Sequence, residues 1–362
     1  MAELLKDIYS PAYLAKVGQA FKREAPHFDD QGFVEWVQQG EWPELALKAR
    51  MARIREGIHR FLALPYAEAV PVVLAAAPEF GSYEGMFFPD YISEYGLDDW
   101  ELSIQALEVL TAYSSSEFAV RPFILKDTPR MMAQMQQWSL SDNYHVRRLA
   151  SEGCRPRLPW AQALPAFKKD PSLILPILAQ LRNDPSDYVH RSVANNLNDI
   201  AKDHPDIVVA WAKQYQGESK ITDWVIRHAS RTLLKQAHPE VMAFYGYSAS
   251  SHVQVEALEL SSSSIPIGEE LSFSFTLRSL LAEALGKLRI EYVVDYLKAN
   301  GKHQSKVFKL SEADYAAPEV RLSRRQSFRQ MSTRVHYAGL HRVAIRVNGE
   351  VKASAEFTLL PA

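Results

Sequence analysis

One short motif recurs through the middle of the chain and restricts its fold more than any overall property does. Val146-x-Arg148-x-Ala150-Ser151 matches Val189-x-Arg191-x-Val193-Ala194, and both match Val225-x-Arg227-x-Ala229-Ser230. The copies lie 43 and 36 residues apart, and a fainter one, Leu102-x-Ile104-x-Ala106, precedes the first by 44 residues. Such periods are close to the roughly 40–47 residues of HEAT and armadillo units, helix pairs that cannot bury their apolar face alone and therefore stack. Coincidence among amphipathic helices is the alternative. Around the motif the sequence reads as helix. Leu45, Leu47, Ala49, Met51, Ile54, Ile58 and Leu62 fall at helical spacing. Ser10-Pro11 pairs a capping residue with a first-turn proline. Further helices are expected near Pro65, Asp98, Pro122, Asn143, Pro171, Ser186, Pro205, Lys220 and Pro239.

The pattern changes near Ser248. VQVEALEL, LSFSFTL, LRIEYVVDYL, SKVFKL and HRVAIRVNGEVKASAEFTLL alternate with period two, as strands of a β-sandwich do. Asn348-Gly349 between two alternating runs is a strong hairpin signal. The segment from Tyr337 to His341 resembles the tyrosine corner of immunoglobulin-like folds. The expected fold class is mainly α with an all-β tail: an α-solenoid of HEAT-like repeats over residues 1–247, then an immunoglobulin-like β-sandwich over 248–362.

The single cysteine, Cys154, permits no internal disulfide and fits a reducing compartment. With no signal-peptide pattern at the N-terminus and no apolar run of about 18 residues, a cytoplasmic protein without a membrane span is expected. The net charge of −2 is unevenly spread. Residues 1–120 carry 9 Lys+Arg against 19 Asp+Glu, residues 121–240 carry 17 against 12, and residues 241–362 carry 15 against 12. That asymmetry is a weak footprint of a phosphate-binding face, and an ordinary solvated surface gives the same numbers. No CxxC, HExxH or phosphate-cradling glycine loop is present, so no metal or other cofactor is expected.

Candidate chemistry comes from the repeat. The residue after each motif copy is Glu152, Asn195 or Arg231, which suggests a polar surface lined by successive second helices. Asp199 follows Asn195 by one helical turn, and Arg155, Arg157 and Trp160 follow Glu152. Arg148, Arg155 and Arg157 are candidate phosphate contacts, as are Arg191, Arg227 and Arg231. Arg321, Arg324, Arg325 and Arg329 form a second basic segment, suited to DNA contact or to a solvated edge strand. On the residues alone, Trp160 could equally be loop packing, with the carboxylates paired to Arg148 and Arg191.

The blocks NYHVRRLASEGCRPRLPWA, YVHRSVANNLNDIAKDHPD and WVIRHASRTLLKQAHPE resemble the DNA alkylation repair proteins, specifically the AlkC branch, some members of which carry an immunoglobulin-like tail. The resemblance implies a HEAT-like glycosylase that acts on double-stranded DNA containing alkylated bases; the sequence leaves the oligomeric state open, and a monomer is expected. It would remove cationic bases such as 3-methyladenine or 3-methylcytosine. In the related AlkD branch an aspartate and tryptophans surround the lesion's deoxyribose. Here that chemistry would fall on Glu152 and Asp199, with Glu117 as a third carboxylate and Trp160 and Asn195 at the base or sugar. A HEAT adaptor without activity, or a protein that binds lesions without excising them, are the competing readings.

Overall fold

A computed structural model of the chain describes residues 5–331 and 334–361. It divides into two compact units, Met1–Ala229 and Ser230–Ala362. The helices of the first unit are α1 Pro11–Glu24, α2 Asp30–Gln38, α3 Leu47–Leu62, α4 Tyr66–Ala76, α5 Phe87–Tyr95, α6 Trp100–Leu110 and α7 Val120–Lys126. They continue as α8 Thr128–Trp138, α9 Tyr144–Gly153, α10 Pro165–Lys169, α11 Leu175–Leu181, α12 Asp187–Ile200, α13 Pro205–Tyr215 and α14 Lys220–Ala229. Their starts follow local chemistry. Ser10 Oγ accepts from the Tyr13 amide at 3.2 Å, and Asn143 Oδ1 from the His145 amide at 2.9 Å. Pro122 sits in the first turn of α7, which begins at Val120. Pro171 opens a separate turn before α11, with the Ile174 amide on its carbonyl at 2.8 Å.

The repeated motif occupies α9, α12 and α14, and α12 packs on both of the others. The first helix of each pair, α8, α11 or α13, packs on its own second helix, so two layers form. Val146, Ala150, Val189, Val193, Val225 and Ala229 are all buried, which explains why the motif is apolar at positions one helical turn apart. Polar contacts also join α9 to α12: Ser151 Oγ meets Ser192 Oγ at 2.7 Å, and Asn196 Nδ2 donates to the Ser151 carbonyl at 2.8 Å. The fainter copy lies on α6, which packs on α4 and α5. Among the described residues no single helix is long and apolar enough to cross a membrane.

The second unit opens with two short helices, α15 Arg231–Lys235 and α16 Pro239–Phe244. These group with the strands rather than with the repeats, so the division between the compact units falls at 229/230, while the strands themselves begin at Val253. The reason is local bonding. Arg346 Nη2 donates to the Lys235 carbonyl at 2.6 Å, and Gly349 lies so close to Ala237 that a Cβ there would come within 2.4 Å of it. The strands are β1 Val253–Leu260, β2 Ser264–Pro266, β3 Glu270–Ser279, β4 Gly286–Leu297, β5 His303–Tyr315, β6 Glu319–Ser327, β7 Gly339–Val347 and β8 Glu350–Leu360. They form a three-stranded sheet in the order β1-β3-β6 and a five-stranded sheet in the order β2-β8-β7-β4-β5. Phe273, Phe275, Leu277, Ile290, Val294, Ile345 and Phe357 fill the core. The β7–β8 hairpin turns at Asn348 and Gly349, with φ of 46° and 90°, as a primed two-residue turn requires. The arginine-rich segment is β6, an edge strand of the smaller sheet.

One carboxylate in the larger sheet is fully buried. Glu291 on β4 takes Arg289 Nη2 at 2.7 Å on one oxygen and Arg346 Nε at 2.9 Å on the other. Removing such an anion leaves the buried Arg346 guanidinium without its carboxylate and Arg289 with Glu312 alone. Glu291→Ala should therefore lower the unfolding free energy of this unit by about 3–5 kcal/mol. Urea denaturation would measure it, and a loss below about 1 kcal/mol, typical of an exposed pair, would contradict that assignment.

Candidate functional site

Three segments of the first unit bring charged side chains into one row, half-buried at Glu117 and Arg148 and buried from Glu152 to Asp199. Arg148 and Glu152 lie one turn apart on α9, Arg155 follows its C-terminus, Ser192 and Asp199 come from α12, and Ser115 and Glu117 come from the segment between α6 and α7. Arg148 pairs with Glu117 and reaches Ser115 Oγ at 2.7 Å and Glu152 Oε1 at 3.4 Å. Arg155 donates from Nη1 to Glu152 Oε1 at 2.6 Å and from Nε to Asp199 Oδ2 at 2.9 Å. Ser192 Oγ donates to Glu152 Oε2 at 2.7 Å, and Lys202 Nζ stands 3.1 Å from Asp199 Oδ1. Cation and anion thus alternate from Glu117 through Arg148, Glu152 and Arg155 to Asp199. Burial opposes the charge on Arg148 and Arg155, but Glu152, with Glu117 or Asp199, outweighs it and holds both guanidinium groups above the ordinary arginine range.

This arrangement changes several expectations. Glu152 is 5 % exposed and Arg155 is 7 % exposed, so neither lines an open surface. Arg155 was expected to contact phosphate; its guanidinium instead bridges two carboxylates, since a buried charge must find partners. Arg157 is held by Asp203 through three bonds of 2.6, 2.9 and 3.1 Å. Arg191 is exposed and pairs with Asp187 rather than with a site carboxylate. Asn195 and Arg227 are half-buried on α12 and α14, while Arg231 is half-buried on α15, in the second unit. The pairing of carboxylates with arginines and the open position of Trp160 hold together, although they began as competing readings.

Trp160 is 63 % exposed, and its backbone sits in the left-handed region at φ 64°. A bulky side chain is rare there, and such strain persists only where neighbours enforce it. Two cations do so. Lys48 Nζ donates to the Trp160 carbonyl at 2.9 Å. Arg121 of α7, almost wholly buried, donates to the carbonyls of Gln162 at 2.6 Å, Gly153 at 2.9 Å and Arg155 at 3.0 Å. Burial pulls its guanidinium down to about 10, still charged at neutral pH. Cys154, buried beside it, is pushed up to about 12 by burial and is a packing residue rather than a nucleophile. Among the described residues no group of three or more His, Cys, Asp or Glu is placed to hold a metal ion.

The repeat motif does not single out Arg121, Ser192, Ser115, Lys48 or an aromatic row. Tyr144, Tyr188 and Trp224 are exposed near the starts of α9, α12 and α14. The Arg148 guanidinium lies 4.6 Å from the Tyr188 ring centre, and that of Arg191 lies 5.8 Å from Trp224. The sequence carried a signal for two of these: Tyr188 and Trp224 each stand directly before the motif valine. Arg121→Met should destabilise the first unit by at least about 1–3 kcal/mol, because buried carbonyls lose their donor. It should also speed chymotryptic cleavage after Trp160. Unchanged cleavage in that variant would mean that Arg121 does not hold the loop.

Comparison with known proteins covers both units. Residues 106–233 match the family described as DNA alkylation repair enzyme, and residues 254–361 match the C-terminal Ig-like domain of the uncharacterised protein YhaZ. The chain is 45% identical over 354 residues to uncharacterized protein YhaZ of Bacillus subtilis (strain 168), covering 98% of each. It is also similar to the structure of Pseudomonas fluorescens alkylpurine DNA glycosylase AlkC bound to DNA containing an abasic site analog. That match has a TM-score of 0.94 and 40% identity, and covers 99% of this chain and 100% of that one. The chain belongs to the DNA alkylation repair enzyme family, in the AlkC branch with a C-terminal Ig-like domain.

Proposed function

We propose that this chain is a DNA glycosylase that hydrolyses the N-glycosidic bond of cationic N-alkylated bases, of the 3-methyladenine and 3-methylcytosine type, in duplex DNA. The observation that carries this reading is the preorganised row of Glu117, Glu152 and Asp199, spaced by Arg148 and Arg155. The likeness to an AlkC structure bound to DNA supports it. An alkylated base leaves already charged and needs no acid to protonate it. The positive charge passes to the sugar as the bond breaks, and fixed carboxylates stabilise it there without reorganising. Trp160, held open on its strained loop, supplies an aromatic face for the same cation.

The contacts divide the three carboxylates. Both oxygens of Glu152 are committed, to Arg148, Arg155 and Ser192, so it positions the row. Among the described residues the side-chain contacts of Glu117 all fall on Oε2, which leaves Oε1 for a water or the sugar. Asp199 keeps one oxygen on Arg155 and shares the other with the more exposed Lys202, which can swing away. Glu117 and Asp199 are therefore the residues proposed to touch the substrate. In the second unit, Arg321, Arg324, Arg325 and Arg329 are proposed to hold the DNA backbone. Arg324 and Arg325 line a concave surface with Ser272, Ser274 and Ser323, and Arg321 donates to Ser274 Oγ at 3.4 Å.

Incubation with methylated duplex DNA and chromatography of the released bases test the activity directly, and no release above an untreated duplex would reject it. Glu117→Gln and Asp199→Asn should each slow excision about 10²–10³-fold with folding intact. Glu152→Gln should reduce both excision and thermal stability. Parental rates in all three variants would make the carboxylates structural. Replacing the four arginines of the second unit by alanine should weaken binding to methylated and unmethylated duplexes alike and flatten its salt dependence.

A further inference from the structure

The β-sandwich holds a second cavity, separate from the arginine-lined surface of β6. It measures about 630 Å³ and lies where the β4–β5 turn meets the segment before β7. Two buried polar groups line it. Tyr296 is 7 % exposed and His336 is 4 % exposed, yet among the described residues neither the Tyr296 hydroxyl nor His336 Nε2 has a hydrogen-bond partner. Unpaired buried polar atoms are rare in folded proteins, and each one points to a missing partner. The rings pack together, with centroids 5.6 Å apart, and Gln330 clamps the backbone of His336 through bonds of 3.0 and 3.2 Å. The two groups are held in place rather than loosely packed.

Three cations share the lining: Lys298, Lys306 and Arg334. Among the described residues, no carboxylate lines the cavity. The nearby Asp295 is already committed, accepting from Ser305 at 2.6 Å and from Arg342 at 2.7 Å. Partial burial and the charges of Arg334, Lys235 and Lys298 hold Lys306 below the ordinary lysine range. Like charges gathered without a counter-charge repel one another, and a bound anion would relieve them.

We infer that this cavity is an anion site for a phosphate group, with Lys298, Lys306 and Arg334 supplying charge and the Tyr296 hydroxyl and His336 Nε2 supplying directed hydrogen bonds. Tetrahedral phosphate suits this set because its several oxygens accept from separate donors at once, and a guanidinium can bind two of them. The phosphate could belong to a DNA backbone or to a free phosphorylated molecule.

Isothermal titration of the full chain with inorganic phosphate, at constant ionic strength, tests the site. The expected result is saturable binding of about millimolar affinity. Lys306→Ala and Arg334→Ala, both at the rim, should each weaken it about tenfold, and Tyr296→Phe, which removes only the hydroxyl, by a smaller factor. Displacement of the bound phosphate by an unmodified duplex would identify the natural ligand as a DNA backbone. Saturable binding that a duplex leaves untouched would identify it as a free phosphorylated molecule. Heats that never saturate, or an affinity that survives the Lys306→Ala/Arg334→Ala double substitution, would overturn the site. Base release by the same variants does not enter the test, so the glycosylase reading stands or falls apart from it.

Discussion

The largely buried row from Glu117 to Asp199 is the constraint on which the first unit depends. An unpaired carboxylate or guanidinium in such a place carries a desolvation penalty of several kcal/mol. Each member is tolerable only because its neighbours stand where they do. The row also crosses elements: Glu117 precedes α7, Arg148 and Glu152 ride on α9, and Asp199 rides on α12. Packing these segments together and satisfying their charges are therefore one requirement. The Ser151–Ser192 and Asn196–Ser151 bonds fix the spacing of α9 and α12 beside the row. A shift of either helix along its axis would break apolar packing and ion pairing at once.

The second unit uses the same physics to another end. Glu291 lies between Arg289 and Arg346 inside a sheet, and the Arg346 guanidinium also reaches the Lys235 carbonyl on α15. Every member is satisfied, so this network joins a helix to a sheet and presents nothing to a ligand. The row in the first unit differs at its ends, where among the described residues the side-chain bonds of Glu117 fall on one oxygen and one oxygen of Asp199 meets the exposed Lys202. Full satisfaction marks structure, and incomplete satisfaction at the edge of a rigid network is where chemistry can enter.

The parts of this protein that were legible in its sequence are those governed by local periodicity. The motif valines and alanines identified α9, α12 and α14, because helices that stack in register repeat their buried positions. Alternation and Asn348-Gly349 identified the sandwich, because a primed turn admits few residues. Glu152 and Asp199 were legible as candidates from their place after the motif, but not as buried. Their burial depends on Arg155, which reads as a surface cation until α12 lies beside it. Arg121 was illegible for the same reason: its partners are three backbone carbonyls more than thirty residues away, which leave no trace in side-chain identity. The break between the compact units falls before α15 and α16, which look like further repeat helices in the sequence, because the contacts that claim them come from β7 and the turn after it.

How a row of paired charges could act on a cation follows from which lone pairs remain. A carboxylate oxygen already held by another donor has one lone pair fewer with which to orient a water, but its charge still contributes to the field around it. Glu152 would act in that second way, at a distance, as part of a fixed environment whose ordering was completed on folding. Glu117 and Asp199 could act in both ways, since each has an oxygen that is uncommitted or shared only with a lysine. The arginines have two effects. They weaken the row's attraction for any cation, and they hold the carboxylates rigidly enough that little of the remaining attraction is spent on reorganisation. In the proposed reaction, where positive charge would move from base to sugar as the bond breaks, the weakened attraction would be an advantage. A site that gripped the cationic base too strongly would stabilise the ground state along with the transition state and gain little rate. Moderate attraction, if aimed at the sugar with Trp160 fixed on its strained loop, would favour the later charge distribution over the earlier one.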